Sequence, residues 1–275
     1  MSTITLLKEL KTRFFRDGVP DLSAQLAYYL LLSLFPFLIV AITLLGYLPV
    51  STDHVLDFIR PYAPPRTHGL IKSQLDSVLG VHRVNLLSFG VLGTLWLTSR
   101  GLRSIIRILN HAYGVEEERP WWRGMAERFF LVVGLVTAMV ISLLLPVLLK
   151  LVEWSMLQAG LTMVWVRMWV VIRYFLSSLV LLLVFYCLYC FAPNARLGPR
   201  DVWPGTLLAT LGWQVISVGY SYYVLMSDVT QLYGGLGGII VLMVWFYLSA
   251  MILIVGGQVN AILYERTIKP VQPKR

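Results

Sequence analysis

The chain has 275 residues, 57% of them hydrophobic and only 13% charged, with a formal net charge of +9. Soluble domains carry about 25% charged residues, so this composition, with a mean hydropathy of +0.73, excludes an ordinary cytosolic enzyme and points to helices in lipid. The basic excess would suggest nucleic acid in a soluble protein. Here topology accounts for it: with six spans and both termini inside, 16 of the 23 lysines and arginines fall on the inner side, which is the positive-inside bias.

In chain order, residues 4–16 place Leu7, Leu10 and Phe14 on one face among lysines and arginines. That pattern predicts a helix lying on an anionic leaflet. Gly18, Pro20 and Asp21 restart the chain, with Asp21 as the expected N-cap. The first span follows, with Gln25, Tyr29 and Ser33 four residues apart and Pro36 in mid-span. It is too long for a secretory leader's apolar core of about 7–15 residues, and no small-residue cleavage site follows, so it is expected to stay in the mature protein. An outer segment divided by Pro49, Pro61, Pro64 and Pro65 leads to the second span.

That span leaves the membrane carrying arginines. Gly93, Trp96, Arg100, Arg103, Arg107 and Asn110 are three or four residues apart and share one helical face, while Leu95, Leu102, Ile106 and Leu109 take the other. At about 1.5 Å per residue, Arg100 lies about 21 Å below Leu86. In a hydrocarbon core of about 30 Å it is still below the headgroups and is assigned to the bundle interior. Arg103 fits either a cavity wall or a snorkelling position, and Arg107 belongs to the interface. The run Glu116-Glu117-Glu118 reads as a solvated inner loop or a partner for nearby arginines, with Trp121 and Trp122 in the headgroup layer.

The third span contains Pro146, and the fourth contains Cys187-x-x-Cys190, read as small packing residues because no second ligand pair accompanies them. The fifth carries Gly205, Ala209, Gly212 and Gly219 on one face, a small-residue stripe that admits a close helix, and places Gln214 near the midplane. The sixth opens on Gly234-Gly235-Leu236-Gly237-Gly238, in which Gly234 and Gly238 have packing spacing. It ends with Ser249, Gly256 and Asn260 as a second small and polar stripe. The predicted fold is an all-α polytopic membrane bundle: an amphipathic arm over 1–20, a six-helix domain over 21–265 and a basic cytoplasmic tail over 266–275. Its spans fall at about 22–48, 85–107, 129–149, 169–191, 205–225 and 235–263.

Several ordered segments carry a family resemblance. They are Ala24 to Leu48, Trp96…Ser99-Arg100-Gly101…Leu109-Asn110…Tyr113-Gly114, Pro193-Asn194, and Tyr233-Gly234…Trp245-Phe246-Tyr247-Leu248-Ser249…Gly256-Gly257-Gln258-Val259-Asn260-Ala261. Over nearly its whole length the chain resembles the YihY/BrkB-type bacterial inner-membrane proteins. The resemblance implies six membrane helices, cytoplasmic termini and residence in the plasma membrane. An old ribonuclease label is attached to that family.

Metal-dependent hydrolysis needs clustered His, Asp or Glu, whereas His54, His68, His82 and His111 stand apart. The residues offer no catalytic set, no metal ligands and no cofactor motif; the glycine run at 234–238 does not match a dinucleotide fingerprint. Nuclease activity is disfavoured and nucleic acid is not an expected partner. Arg100, Arg103, Gln25, Tyr29, Ser33, Asn110, Gln214 and Asn260 are instead candidate ligands in a cytoplasm-facing polar cavity. Arginine forks match phosphate and carboxylate, and ionisable groups inside a membrane are functional candidates. The expected role is a transporter or lipid translocator for a lipid headgroup or organic anion; the alternative is a scaffold for envelope assembly. Membrane lipids are the expected partners, and Gly205, Gly212, Gly219, Gly234, Gly238 and Gly256 are the candidate packing positions, within the bundle or between copies.

Overall fold

The computed structural model describes residues 3–45, 84–116, 163–226 and 235–267, with Lys72, Val133, Gly134 and Thr137. The expected third span, Gly234, the distal tail and most of the outer segments lie outside the described residues. The described part is all-α, without a strand. Its helices are α1 (Thr3–Arg16), α2 (Val19–Leu45), α3 (Val84–Ala112), α4 (Met163–Phe191), α5 (Trp203–Met226) and α6 (Gly235–Thr267), with a 3-10 turn at Pro199–Asp201 before α5.

By length and composition, Val19–Val40 and Gly237–Arg266 are able to cross a membrane. The helices α4, α5 and α6 are apolar on all sides, the composition of a helix surrounded by protein or lipid. Their outward faces expose large apolar side chains in helical register: Phe175, Leu179 and Leu183 on α4, and Leu211, Val215 and Val218 on α5. Phe175 is 69% and Val215 71% exposed, far from what water would favour over so many positions.

Two compact units divide the chain, residues 29–98 and the remainder. Within 29–98, α2 and α3 meet where side chains are missing. A Cβ at Gly90 would lie 3.0 Å from a Val40 methyl and 3.2 Å from the Pro36 carbonyl oxygen, and one at Gly93 would lie 3.1 Å from Pro36 Cβ. Ser33 Oγ donates to the Leu30 carbonyl at 2.8 Å, and α2 continues through Pro36.

In the larger unit, α6 packs on α5, α5 on α4 and α1 on α6. Glycines set the α5–α6 approach. A Cβ on Gly205 would overlap the Gly256 carbonyl, and one on Gly212 would lie 2.6 Å from the tip of Ile252. Gly219 and Gly238 look onto open space. The contact is laced by Trp213 Nε1 donating to Ser249 Oγ at 3.1 Å and Tyr220 O–H donating to the Val241 carbonyl at 2.7 Å. Gln214 Nε2 donates to Ser178 Oγ at 3.1 Å and so joins α5 to α4. Cys187 and Cys190 are half-buried on α4.

The α1–α2 corner departs from expectation. The helix α2 starts at Val19, so Asp21 lies in its first turn, where a carboxylate favours the helix dipole, and does not cap it. Gly18, at φ 62°, makes the turn between the two helices. On α1, Leu7 is exposed together with Ile4 and Phe15, while Leu10 and Phe14 are half-buried. Val19, Ile108 and Ile254 form a small core there, with Phe14 and Leu22 packed against it. Arg13 is a buried charge there. Its guanidinium donates to Glu265 at 2.5 and 3.1 Å, to Glu9 at 3.0 Å and to the Ala112 carbonyl at 3.3 Å, and Arg266 completes the network through Glu9.

Candidate functional site

The lower half of α3 buries one face and leaves the other open. Leu102, Ile105, Ile106, Ile108 and Leu109 are buried, and Arg100, Arg103, Arg107 and His111 are exposed. The arginine row is therefore one face, as its spacing predicts, but that face is turned outward. The interior position expected for Arg100 is corrected: depth along a helix does not fix direction around it, and the apolar residues beside Arg100 claim the interior. Asn110, at the margin of the row, turns inward and is buried.

The helix ends in a Schellman turn. Val115 N–H donates to the Asn110 carbonyl at 3.0 Å and Gly114 N–H to the His111 carbonyl at 3.1 Å, with Gly114 at φ 63°. This turn brings Val115 and Glu116 back beside the last turn of α3. A groove of about 420 Å³ results, lined by Arg103, Ile106, Arg107, Asn110, His111, Val115 and Glu116. Neither guanidinium, and not the Glu116 carboxylate, is ion-paired with another described residue. At i and i+4 the two arginines are neighbours on the helix surface, so their like charges leave an attraction for an anion unspent.

The groove's wall is held from behind. Asn110 Oδ1 accepts the Asn194 N–H at 2.6 Å, and Asn194 Nδ2 donates to the Glu116 carbonyl at 2.8 Å. His111 Nε2 lies 3.8 Å from Asp17 Oδ1, which also accepts from Arg16 Nε at 2.8 Å. The other Asp17 oxygen accepts from Gln258 Nε2 at 3.2 Å, while Gln258 Oε1 is buried with no partner. Tyr113 packs edge-on against Tyr264 at 5.9 Å, its hydroxyl buried and unpartnered. Burial pushes the Tyr113 phenol far above the ordinary tyrosine value, and the Asp201 carboxylate pushes it further.

The remaining candidates are dispersed. Gln25 Oε1 accepts from Ser104 Oγ at 3.4 Å, and Tyr29 and Ser33 belong to the smaller unit. Asn260 is fully buried in the α5–α6 contact. Its Oδ1 accepts the Gly205 N–H at 2.6 Å and its Nδ2 donates to the Val202 carbonyl at 3.0 Å, so both ends of the amide are used within the chain. Of the eight candidate ligands only Arg103 and Asn110 line the groove. Arg107, His111 and Glu116 join them; the i, i+4, i+8 ladder from Arg103 is a readable signal for the first two. Glu116 has a weaker one, the glycine just beyond the helix. Among the described residues no group of three or more His, Cys, Asp or Glu is placed to hold a metal ion.

Helices as the regular structure of the described residues, with apolar outward faces and a charged groove at one helix end, define an integral membrane protein. The comparisons make this specific. Residues 10–275 match the family described as Virulence factor BrkB, and the chain belongs to that family. A protein of Bacillus subtilis named "Putative ribonuclease-like protein YfkH" is 43% identical, over 97% of this chain and 98% of that one. "UPF0761 membrane protein" relatives of Pseudoalteromonas atlantica and Tolumonas auensis are 25% and 27% identical, over 90% and 95% of this chain and 82% and 87% of theirs. No solved structure matches. The protein is thus a multi-pass bacterial inner-membrane protein of the BrkB family. Three of the segments that carried the resemblance touch one another: Asn110 bonds Asn194, and Gly257 abuts Leu109.

Proposed function

We propose that the protein binds an anionic group at the basic edge of α3 and moves a lipid or organic anion across the inner membrane. The observation that carries this reading is the groove in which Arg103 and Arg107 stand without an ion-pair partner among the described residues. Guanidinium forks match phosphate and carboxylate oxygens bidentately. In the accompanying topology six helices span the membrane and both termini are cytoplasmic. The groove then opens on the cytoplasmic side, at headgroup level, and the exposed Ile4, Leu7 and Phe15 of α1 dip into the same leaflet.

Purified protein reconstituted into liposomes with fluorescent lipids and anions tests the reading. The Arg103→Ala/Arg107→Ala variant is expected to bind anionic lipid at least tenfold more weakly and to lose transfer, with an unchanged melting profile. Wild-type protein that moves no probe yet co-purifies with an envelope protein would establish a scaffold instead. The ribonuclease-like name of the Bacillus relative is addressed by the same preparation: RNA left intact by the purified protein, with and without divalent metal, separates that name from this chain's activity.

A further inference from the structure

The groove carries a carboxylate as well as two guanidinium groups, and a plain anion has no use for the carboxylate. We infer that the ligand is a phosphate–ammonium zwitterion of the phosphoethanolamine type, its phosphate on Arg103 and Arg107 and its ammonium on Glu116. This inference rests on the anion-binding reading above and extends it to the class of headgroup.

Three features support it. Arg103, Arg107 and Glu116 line one groove, and none of them is ion-paired with another described residue, so both signs of charge stand available in one place. An anion alone would sit near an unneutralised carboxylate; a zwitterion leaves no charge of the groove facing its own sign. Glu116 is also held there by construction. The Gly114 turn returns the chain to the helix end, and Asn194 fixes the Glu116 carbonyl at 2.8 Å, so the carboxylate emerges from an anchored backbone. The volume, about 420 Å³, falls in the range of roughly 300–1,000 Å³ of small-ligand sites. The third basic position, His111, already faces Asp17, which leaves the two arginines as the phosphate ligands.

A primary ammonium donates three hydrogen bonds and a quaternary one donates none, so the groove is expected to prefer phosphatidylethanolamine to phosphatidylcholine. The test is native mass spectrometry of the full-length, delipidated protein titrated with phosphatidylethanolamine, phosphatidylglycerol and phosphatidylcholine. Wild-type protein should bind phosphatidylethanolamine most tightly. Glu116→Gln should weaken that binding about fivefold, the scale of one exposed ion pair, while leaving phosphatidylglycerol binding unchanged or stronger. Arg103→Ala/Arg107→Ala should weaken both. Soluble phosphoethanolamine as competitor identifies the source: displacement at equal concentration marks a free phosphate ester as ligand, and failure to displace marks a lipid-borne headgroup. If Glu116→Gln leaves phosphatidylethanolamine binding intact while the arginine pair still matters, the zwitterion is refuted and the anion site stands. If the double-arginine variant binds every lipid as wild type does, both fall together, and the groove is a solvated charged face.

Discussion

Asn260 ties α6 to the start of α5, and removing its amide isolates one bond of the fold for measurement. In Asn260→Ala the Val202 carbonyl keeps the Thr206 N–H at 3.1 Å and the Thr206 hydroxyl at 2.7 Å, so it remains satisfied. The Gly205 N–H, which now donates to Asn260 Oδ1, belongs to the first turn of α5 and has no intrahelical acceptor. A buried donor left without a partner costs about 1–3 kcal/mol, and the lost second bond adds about 1, giving an expected destabilisation of about 2–4 kcal/mol. An ordinary interhelical side-chain bond in lipid averages about 0.6 kcal/mol, so the two possibilities separate clearly. The assay is thermal and denaturant unfolding of the detergent-purified protein followed by tryptophan fluorescence. Asn260→Asp sharpens it, since a carboxylate accepts from Gly205 but repels the Val202 carbonyl, whereas the protonated acid donates to it; partial recovery at low pH is expected. Gly205→Ala would force its Cβ into the Gly256 carbonyl and to 2.5 Å from Asn260 Cγ, disrupting the same contact, so the two substitutions should combine less than additively. An Asn260→Ala variant within about 0.6 kcal/mol of wild type, or strictly additive with Gly205→Ala, would refute the reasoning.

Two further predictions concern the polar cluster around the ends of α1, α3 and α6. Glu265→Ala leaves the Arg13 guanidinium with Glu9 and the Ala112 carbonyl and is expected to cost about 2 kcal/mol, below the 3–5 kcal/mol of fully buried pairs. Arg13→Met combined with Glu265→Leu removes the pair without stranding either member and should come within about 1 kcal/mol of wild type; denaturant midpoints at matched m-values compare the two. Tyr113→Phe removes a buried, unpartnered hydroxyl and should be neutral or stabilising by about 1 kcal/mol. Because burial raises the Tyr113 phenol, its contribution is intact below the unfolded tyrosine value of about 10 and is lost as pH rises beyond it. The Phe variant should therefore lose less stability than wild type in unfolding scans above that pH.

The periodic features were legible in the sequence and the directional ones were not. The spacing of Arg103, Arg107 and their neighbours fixes a common face wherever a helix forms, but which way that face turns depends on what the opposite face packs against, and for Ile108 and Leu109 that partner is α6, far along the chain. Leu109 against Gly257 is one such contact. The α1 face divides for the same reason. Leu7, Leu10 and Phe14 make an acceptable apolar stripe, yet docking on α6 half-buries Leu10 and Phe14 and leaves Leu7 outside, because Arg13 meets Glu265 there. Asn260 looked like a ligand because a polar group in lipid needs a partner; the partner is a backbone N–H at a helix start, which no side-chain pattern announces. Glu116, in a run that reads as a solvated loop or a partner for nearby arginines, is brought beside Arg103 and Arg107 by the Gly114 turn.

The Arg13–Glu265 pair also has a bearing on biosynthesis. Its two members are 252 residues apart, so at translation rates of about 5–20 residues per second the guanidinium waits some 10–50 s for its acceptor. During that interval α1 has no buried berth on α6 and is free to lie on the leaflet with its exposed apolar residues. Closure of the larger unit thus waits for α6, and a ribosome that stops before that helix leaves a chain whose first helix lacks its partner in the Ile108–Ile254 core.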